Sequence, residues 1–321
     1  TNRNVPGRVT PLSDVFSVVG GGNHTLALTG DGRVWAWGDN SSGQLGDGTV
    51  QSRSQAVPVL HVTEGVAIAA GYCHSLALSK DGTVWAWGDN SSGQLGNGTT
   101  ESCDIPGPVS HLGEVIAIAA GQHHNLALKK DGTLWSWGAN GDGQLGNGSF
   151  HTRTVPAQVS GLSHVVSVAA GGNHGLAIQS DQRVWAWGRN REGQVADSPY
   201  DPMPNPAPVK GLSGVIFVAA GASHSLALKS NGTVWSWGQN EHGQLGNSAF
   251  QLSSTPVQVP DLVGVIGLAA GANHSLALRN DGTVWAWGDN GSGQLGDGTF
   301  GSQNIPVQTL GSSENEPLDL I

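Results

Sequence analysis

Six histidines, His24, His74, His124, His174, His224 and His274, recur 50 residues apart. Imidazole is a common ligand for zinc and copper, so a ring of six is the first chemistry to test. The spacing argues against it. Each histidine opens the second strand-like piece of its repeat, at least one strand spacing of ~4.8 Å beyond the innermost one. Six such groups ring an axis at a radius too large to share one ion, whose ligands sit at ~2 Å. The expectation is structural: half-buried imidazoles that hydrogen-bond backbone at a turn, with no metal. His123 breaks the pattern beside His124 and is expected at the surface.

The other polar and aromatic motifs lead the same way. Trp35 and Trp37 recur at 85/87, 135/137, 185/187, 235/237 and 285/287, which accounts for all 12 Trp. Paired tryptophans can stack bases or sugars, but recurrence inside a strand assigns these to packing. Gly43-Gln44-Leu45-Gly46 returns in every copy, as Gly193-Gln194-Val195-Ala196 in the fourth. It is Gly-rich like a phosphate cradle but lacks the lysine and following helix of a P-loop. Asp39 and Asp47 lack the ligand spacing of an EF-hand. No nucleophile elbow and no H-E-x-x-H zinc motif is present. The reading is a chain without catalytic residues or cofactor, and not an enzyme.

Each repeat supplies the elements that position these residues. In the third, Val115 to Ala120 is an apolar β-rich run ending at Gly121. Asn125 to Lys129 alternates, Asp131-Gly132 is a two-residue hairpin turn, and Thr133 to Trp137 alternates again. A Gly/Asn-rich loop leads to Pro156–Val159, an edge strand because proline cannot donate within a ladder. No segment keeps a 3.6-residue period, so no helix is expected. Four antiparallel strands per unit, repeated around an axis, make an all-β closed β-propeller. Burial of both faces of every sheet explains why only 12% of the 321 residues are charged. A net charge of −10 with 14 Lys+Arg excludes a basic nucleic-acid surface and disfavours an anionic membrane. No apolar run reaches the ~20 residues of a spanning helix. The chain is expected to be soluble, cytoplasmic or secreted. Cys73 and Cys103 are expected free, because one lies near the axis and the other in the loop before the outer strand.

These residues carry a resemblance. His-Ser-Leu-Ala-Leu, Asp-Gly-Thr-Val-Trp-Ala-Trp-Gly-Asp-Asn and Gly-Gln-Leu-Gly, from Val5 to Leu310, are similar to the regulator of chromosome condensation repeat family. The resemblance implies a β-propeller, usually of seven blades. Here six complete sets of the first three strands stand beside seven proline strands, at Pro6, Pro58, Pro106, Pro156, Pro206, Pro256 and Pro306. Six blades are favoured, with seven the alternative. Either Val5–Val9 or Ile305–Leu310 closes the last one. Residues 1–311 are read as one propeller of six 50-residue repeats and 312–321 as a polar tail. The near-identity of the copies suggests a bacterial-type repeat protein.

Function is expected on one face, as a monomeric scaffold for protein binding. The Gly-x-x-His turns and the long loops after each Trp pair share this face and carry the irregular residues: Tyr72, Gln122, His123, Arg189, Arg191 and His242. Its most deviant stretch, Ala196 to Pro206, contains Asp197, Tyr200 and Met203 and four prolines. It reads as a stiff recognition loop or as neutral drift. The family resemblance also implies guanine-nucleotide exchange on a small GTPase, although no insertion long enough for a wedge is present. The chain also resembles secreted β-lactamase-inhibitory propellers. A lectin or enzyme using the central pocket is the remaining alternative. Photoreception of the kind found in the plant ultraviolet-B relatives is excluded, because no tryptophan stands beside His24, His74 or His224.

Overall fold

A computed structural model describes residues 3–7, 9, 12–195 and 201–311. They form six four-stranded antiparallel sheets, each with its strands in chain order, arranged as the blades of a propeller. Blade 1 is Val15–Gly20, His24–Thr29, Val34–Gly38 and Arg53–Pro58, from the axis outward. No helix occurs among the described residues. The last blade takes its outer strand, Gln303–Gln308, from its own repeat. Ile305–Leu310 is therefore the proline segment that completes it, and residues 3–7 belong to no sheet. The polar tail expected at 312–321 lies outside the described residues.

Alternation sets the two faces of every blade. In blade 1, Leu26, Leu28, Val34, Ala36 and Leu45 point forward; in blade 2, Ile68, Ala77 and Trp87 point back, and together they form one buried cluster. Four further clusters repeat the arrangement at the junctions up to blade 6. Each fully buried Leu or Val contributes roughly 1.5–3 kcal/mol.

A polar lock crosses the same junctions. The Trp87 indole donates to the Gln44 carbonyl of the preceding blade at 2.9 Å. Trp137, Trp187, Trp237 and Trp287 do the same to Gln94, Gln144, Gln194 and Gln244. The Gln44 carbonyl also accepts from Ser75 Oγ at 2.8 Å, and Ser75 Oγ lies 2.9 Å from His24 Nε2. The serine proton goes to the carbonyl, so the histidine is the Nε2–H tautomer and the hydroxyl accepts from it. His74 meets Asn125, His174 meets Ser225 and His224 meets Ser275 in the same way.

The histidines thus differ from the sequence expectation in two respects. His74, His124, His174 and His224 are fully buried rather than half-buried, and the partners are side chains of the next blade rather than turn backbone. The His124 imidazole makes no hydrogen bond, because the partner position in blade 4 is Gly175. No metal-ligating cluster occurs among the described residues. The ring also requires glycine three residues earlier. A Cβ at Gly121 would collide with the His124 imidazole and lie 2.5 Å from the Gly171 carbonyl.

Burial holds these imidazoles neutral. It lowers His24 and His74 to about 4 and His124, His174 and His224 to about 3, and it lowers His274 as well. In the unfolded chain a histidine titrates near ~6.5. Below that pH the unfolded state binds protons that the folded state refuses. Stability is therefore complete above pH ~6.5 and falls as the pH drops toward the folded values. Each group contributes up to ~1.4 kcal/mol per pH unit, and a domain has only about 5–15 kcal/mol in all. Calorimetry from pH 7.5 to 4.5 should show a steep fall in Tm beginning below pH 6.5. Unfolding at pH 5 should take up about one proton per buried histidine. A Tm unchanged down to pH 5 would contradict the burial of neutral imidazoles.

Candidate functional site on the loop face

The Gly-x-x-His turns surround a central well of about 630 Å³. Its wall is mostly Gly and Ala, from Gly20 and Gly21 through Ala70, Ala120, Ala170 and Ala220 to Ala270. Small residues are needed because backbones of successive blades approach and bond there. Tyr72 N donates to Gln122 O, Gln122 N to Gly172 O, Gly172 N to Gly221 O and Ala222 N to Ala272 O, all at 3.0 Å. Tyr72, His274 and Asp289 are the titratable groups of the wall.

The loops behind the rim are rigid for a local reason. Asn40 is fully buried, and its Nδ2 donates to the Thr49 and Gln51 carbonyls while its Oδ1 accepts from Leu45 N. Gln44 Nε2 donates to Asp39 and its Oε1 accepts from Ser42 N. The same frame recurs around Asn90, Asn140, Asn240 and Asn290. It leaves the residue after each Trp-Gly pair free to vary at the rim: Asp39, Asp89, Ala139, Arg189, Gln239 and Asp289. Burial pushes the Asp39 carboxyl up, but hydrogen bonds from Ser41, Ser52 and Gln44 outweigh it and hold Asp39 below the usual carboxylate range.

The expected site residues divide into three groups. Tyr72, Gln122 and His123 meet: the Tyr72 and His123 rings are 6.0 Å apart, tilted by 55°, and Gln122 lines the well beside them. His123 is part-exposed, with Nδ1 3.9 Å from Asp89. On the other side of the axis, His242 Nδ1 lies 4.0 Å from Asp289. Arg189 and Arg191 stand apart in blade 4. Arg189 is held by Glu192 at 2.8 Å, and Arg191 is exposed. Met203 does not belong to a free recognition loop. It is the first residue of the outer strand Met203–Pro208, pairs with Gly188 and packs on the core between blades 4 and 5. Asp197 and Tyr200 lie outside the described residues, as does the 196–200 half of the proline-rich stretch.

Two surface features were missed in the sequence. The rim carboxylates Asp39, Asp89 and Asp289 were visible as variation after Trp-Gly, but only Asp39 was weighed, as a calcium ligand. The second feature is on the opposite face. Phe16, Val66, Ile116, Val166, Ile216 and Ile266 are 45–75 % exposed. Each sits in the register break between inner and second strand, so its side chain leaves the alternation and reaches solvent.

Comparison with known proteins identifies the architecture. The family model of the RCC1-like domain matches residues 1–316. Human WBSCR16 is similar at 27% identity with a TM-score of 0.87, over 97% of this chain and 85% of that one. Yeast RCC1 (Prp20), solved bound to Kap60, is 26% identical with a TM-score of 0.82, over 93% and 75% of the two chains. Prp20p of Saccharomyces cerevisiae, studied with its binding to Gsp1p and histones, is 26% identical with a TM-score of 0.83, over 93% and 77%.

The two cysteines give a direct probe of this face. Both are free. Cys73 is half-buried, and its burial raises the thiol, with the Asp89 and Asp39 carboxylates pushing it further. Cys103 is exposed at the start of its outer strand. Alkylation of the native protein at pH 8 should modify Cys103 several-fold faster than Cys73. Unfolded, unreduced protein should titrate two thiols; finding none would require a disulfide and a different rim.

Proposed function

We propose that this chain, which belongs to the RCC1-like domain family, is a non-enzymatic interaction module that holds a protein partner on its loop face. One observation carries the reading. The polar residues that recur in every copy are committed to the scaffold, whereas side chains that differ from copy to copy gather at the rim. His, Trp and Gln join blades or frame loops. Tyr72 and Gln122 line the well, His123 stands beside Tyr72, and Arg189 and His242 lie in the loops of blades 4 and 5, so the chemistry differs from blade to blade. Such a rim offers an aromatic anchor, Tyr72 at 48% exposure, beside His123 and its Asp89 neighbour, with an arginine, Arg189, in another blade. Tyrosine and arginine are frequent hot-spot residues of protein interfaces. The yeast relative Prp20 supports a protein as the ligand, since it was solved bound to Kap60 and studied for its binding to Gsp1p and histones.

A second reading is nucleotide exchange on a small GTPase, favoured by the likeness to yeast RCC1. The two separate in one experiment. Affinity capture from source cells with the intact protein should return a partner, and release of a fluorescent guanine nucleotide from any captured GTPase reports exchange. The double variant Tyr72→Ala/His123→Ala should weaken capture on the order of tenfold, about 1.4 kcal/mol. Its Tm should stay near that of the parent, because both side chains lie outside the buried clusters. Undiminished capture by this variant would move the binding surface off the rim.

A further inference from the structure

The face opposite the well is built from the turns between second and third strands and the linkers into each inner strand. One bond ties the two together in every blade. Gly30 N donates to Asp14 O at 2.9 Å, Lys80 N to Glu64 O at 3.0 Å and Lys130 N to Glu114 O at 2.9 Å. Ser180, Ser230 and Asn280 donate in the same way to His164, Gly214 and Gly264. Each acceptor residue has a φ between 54° and 70°, which turns the chain sharply into the inner strand. The register break that follows leaves one extra residue per blade. That residue is apolar six times over: Phe16, Val66, Ile116, Val166, Ile216 and Ile266. None belongs to the buried clusters between blades, and all are exposed. They form an arc around the axis, open only between Ile266 and Phe16, where blades 6 and 1 meet without an indole-to-glutamine bond among the described residues. Together they present on the order of several hundred Å² of apolar surface, the size at which an exposed patch marks an interaction site.

Charge says what can cover this arc. Among the described residues, the loop 39–53 and its counterparts every 50 residues, on the loop face, carry ten acids and four bases. The turn 29–33, the linker 59–64 and their counterparts, on the opposite face, carry nine acids and eight bases. There the signs are interleaved. Asp31 and Arg33, Lys80 and Asp81, Lys130 and Asp131, Asp181 and Arg183, and Arg279 and Asp281 share turns. Asp31–Arg33 and Asp181–Arg183 pair at 3.4 and 3.5 Å with their side chains half or more exposed, so they add little to the fold and stay at the surface. Two copies of a chain with net charge −10 repel each other. Meeting by their loop faces would set carboxylate against carboxylate. Meeting by the opposite faces sets near-neutral surfaces together, with acids and bases available to each other around an apolar centre.

We propose that two copies of this chain associate back to back through the face opposite the well, as an isologous dimer with the apolar arcs packed at its centre and the charged turns paired around them. An apolar core inside a polar rim is the usual anatomy of a protein interface. The bonds from turn to linker hold this face in place beforehand, so association orders little backbone. The dimer departs from the monomer expected from the sequence, where alternation assigns the six side chains to a buried face. Both loop faces point outward. On the loop-face reading above, the dimer holds two partner molecules; its own formation does not rest on that reading.

Sedimentation of the intact protein across the micromolar range tests this and should show a monomer–dimer equilibrium. The variant Ile116→Glu/Ile216→Glu puts like charges at the centre of the interface and should raise the dimer Kd at least tenfold. Its circular dichroism spectrum should match the parent's, because both side chains are exposed. Val66→Thr/Val166→Thr keeps shape and β-branching and should raise the Kd several-fold; it decides the matter if the first variant misfolds. Tyr72→Ala/His123→Ala should dimerise as the parent does, whatever becomes of its partner capture. The proposal is overturned if the intact protein is monomeric throughout, or if neither apolar substitution moves the Kd. A dimer lost with Tyr72 and His123 would lie on the loop face, against the proposal. A monomer that binds phosphatidylcholine vesicles, and loses them in Ile116→Glu/Ile216→Glu, would make a lipid surface the occupant, also against it.

Discussion

The main-chain carbonyl of one glutamine per repeat is the point on which the rest of the structure depends. Gln44, Gln94, Gln194 and Gln244 each present it to the next blade, where it accepts both an indole N–H and a hydroxyl or amide. One acceptor with two lone pairs thereby fixes the rotamer of a buried tryptophan and the tautomer of a buried histidine. The tryptophan then fills the space against the forward Leu face, and the histidine edge forces glycine into the turn at the axis. The glutamine side chain frames the loop from which its carbonyl projects. Packing, turn chemistry and loop order are consequences of one shared acceptor, repeated.

Most of this architecture was legible in the sequence. The 50-residue period, the Asp-Gly turns and the two-residue alternation of Leu126/Leu128 and Trp135/Trp137 are local signals, and a propeller is built from local hairpins. Proline at 156 or 256 marked the outer strands because an edge tolerates a missing donor. What was not legible is how one blade meets the next. The tautomer and full burial of the histidines depend on Ser75, Asn125, Ser225 and Ser275, each 51 residues downstream of the imidazole it bonds. No window the length of one element contains both partners. Gly175 shows the consequence, since its loss of a hydroxyl leaves His124 without a partner and nothing near His124 announces it.

The site was legible to a lesser degree for a similar reason. Variation among copies located Tyr72, Gln122 and His123, and the turns brought them together because successive Gly-x-x-His turns hydrogen-bond around the axis. Variation alone did not separate a rim residue from one that packs. Met203 differs from its counterparts yet begins a strand and rests on the core. The exposed Phe16, Val66, Ile116, Val166, Ile216 and Ile266 were hidden by the alternation itself. A period of two assigns them to a buried face, and only the register break turns them outward.

Repeat stability is a sum of unit terms and neighbour terms, so a ring with one unlike junction is not uniform. Blades 2 to 5 have locked neighbours on both sides; blades 1 and 6 have one each. Local opening should therefore begin at these two, where Leu276, Leu278 and Trp37 keep part of their surface in water. The rim of the well inherits the asymmetry. Asp289, Asp39 and Asp89 belong to blades 6, 1 and 2 and flank the unlike junction, whereas Arg189 projects from blade 4 across the axis. Asp289 and Asp39 are thus carried by the blades with fewest locks, and Asp89, Tyr72 and His123 by blades held on both sides. A partner that contacts Tyr72 alone meets a surface fixed before binding. One that also reaches Asp39 and Asp289 must order the junction, and its affinity is reduced by the free energy of doing so.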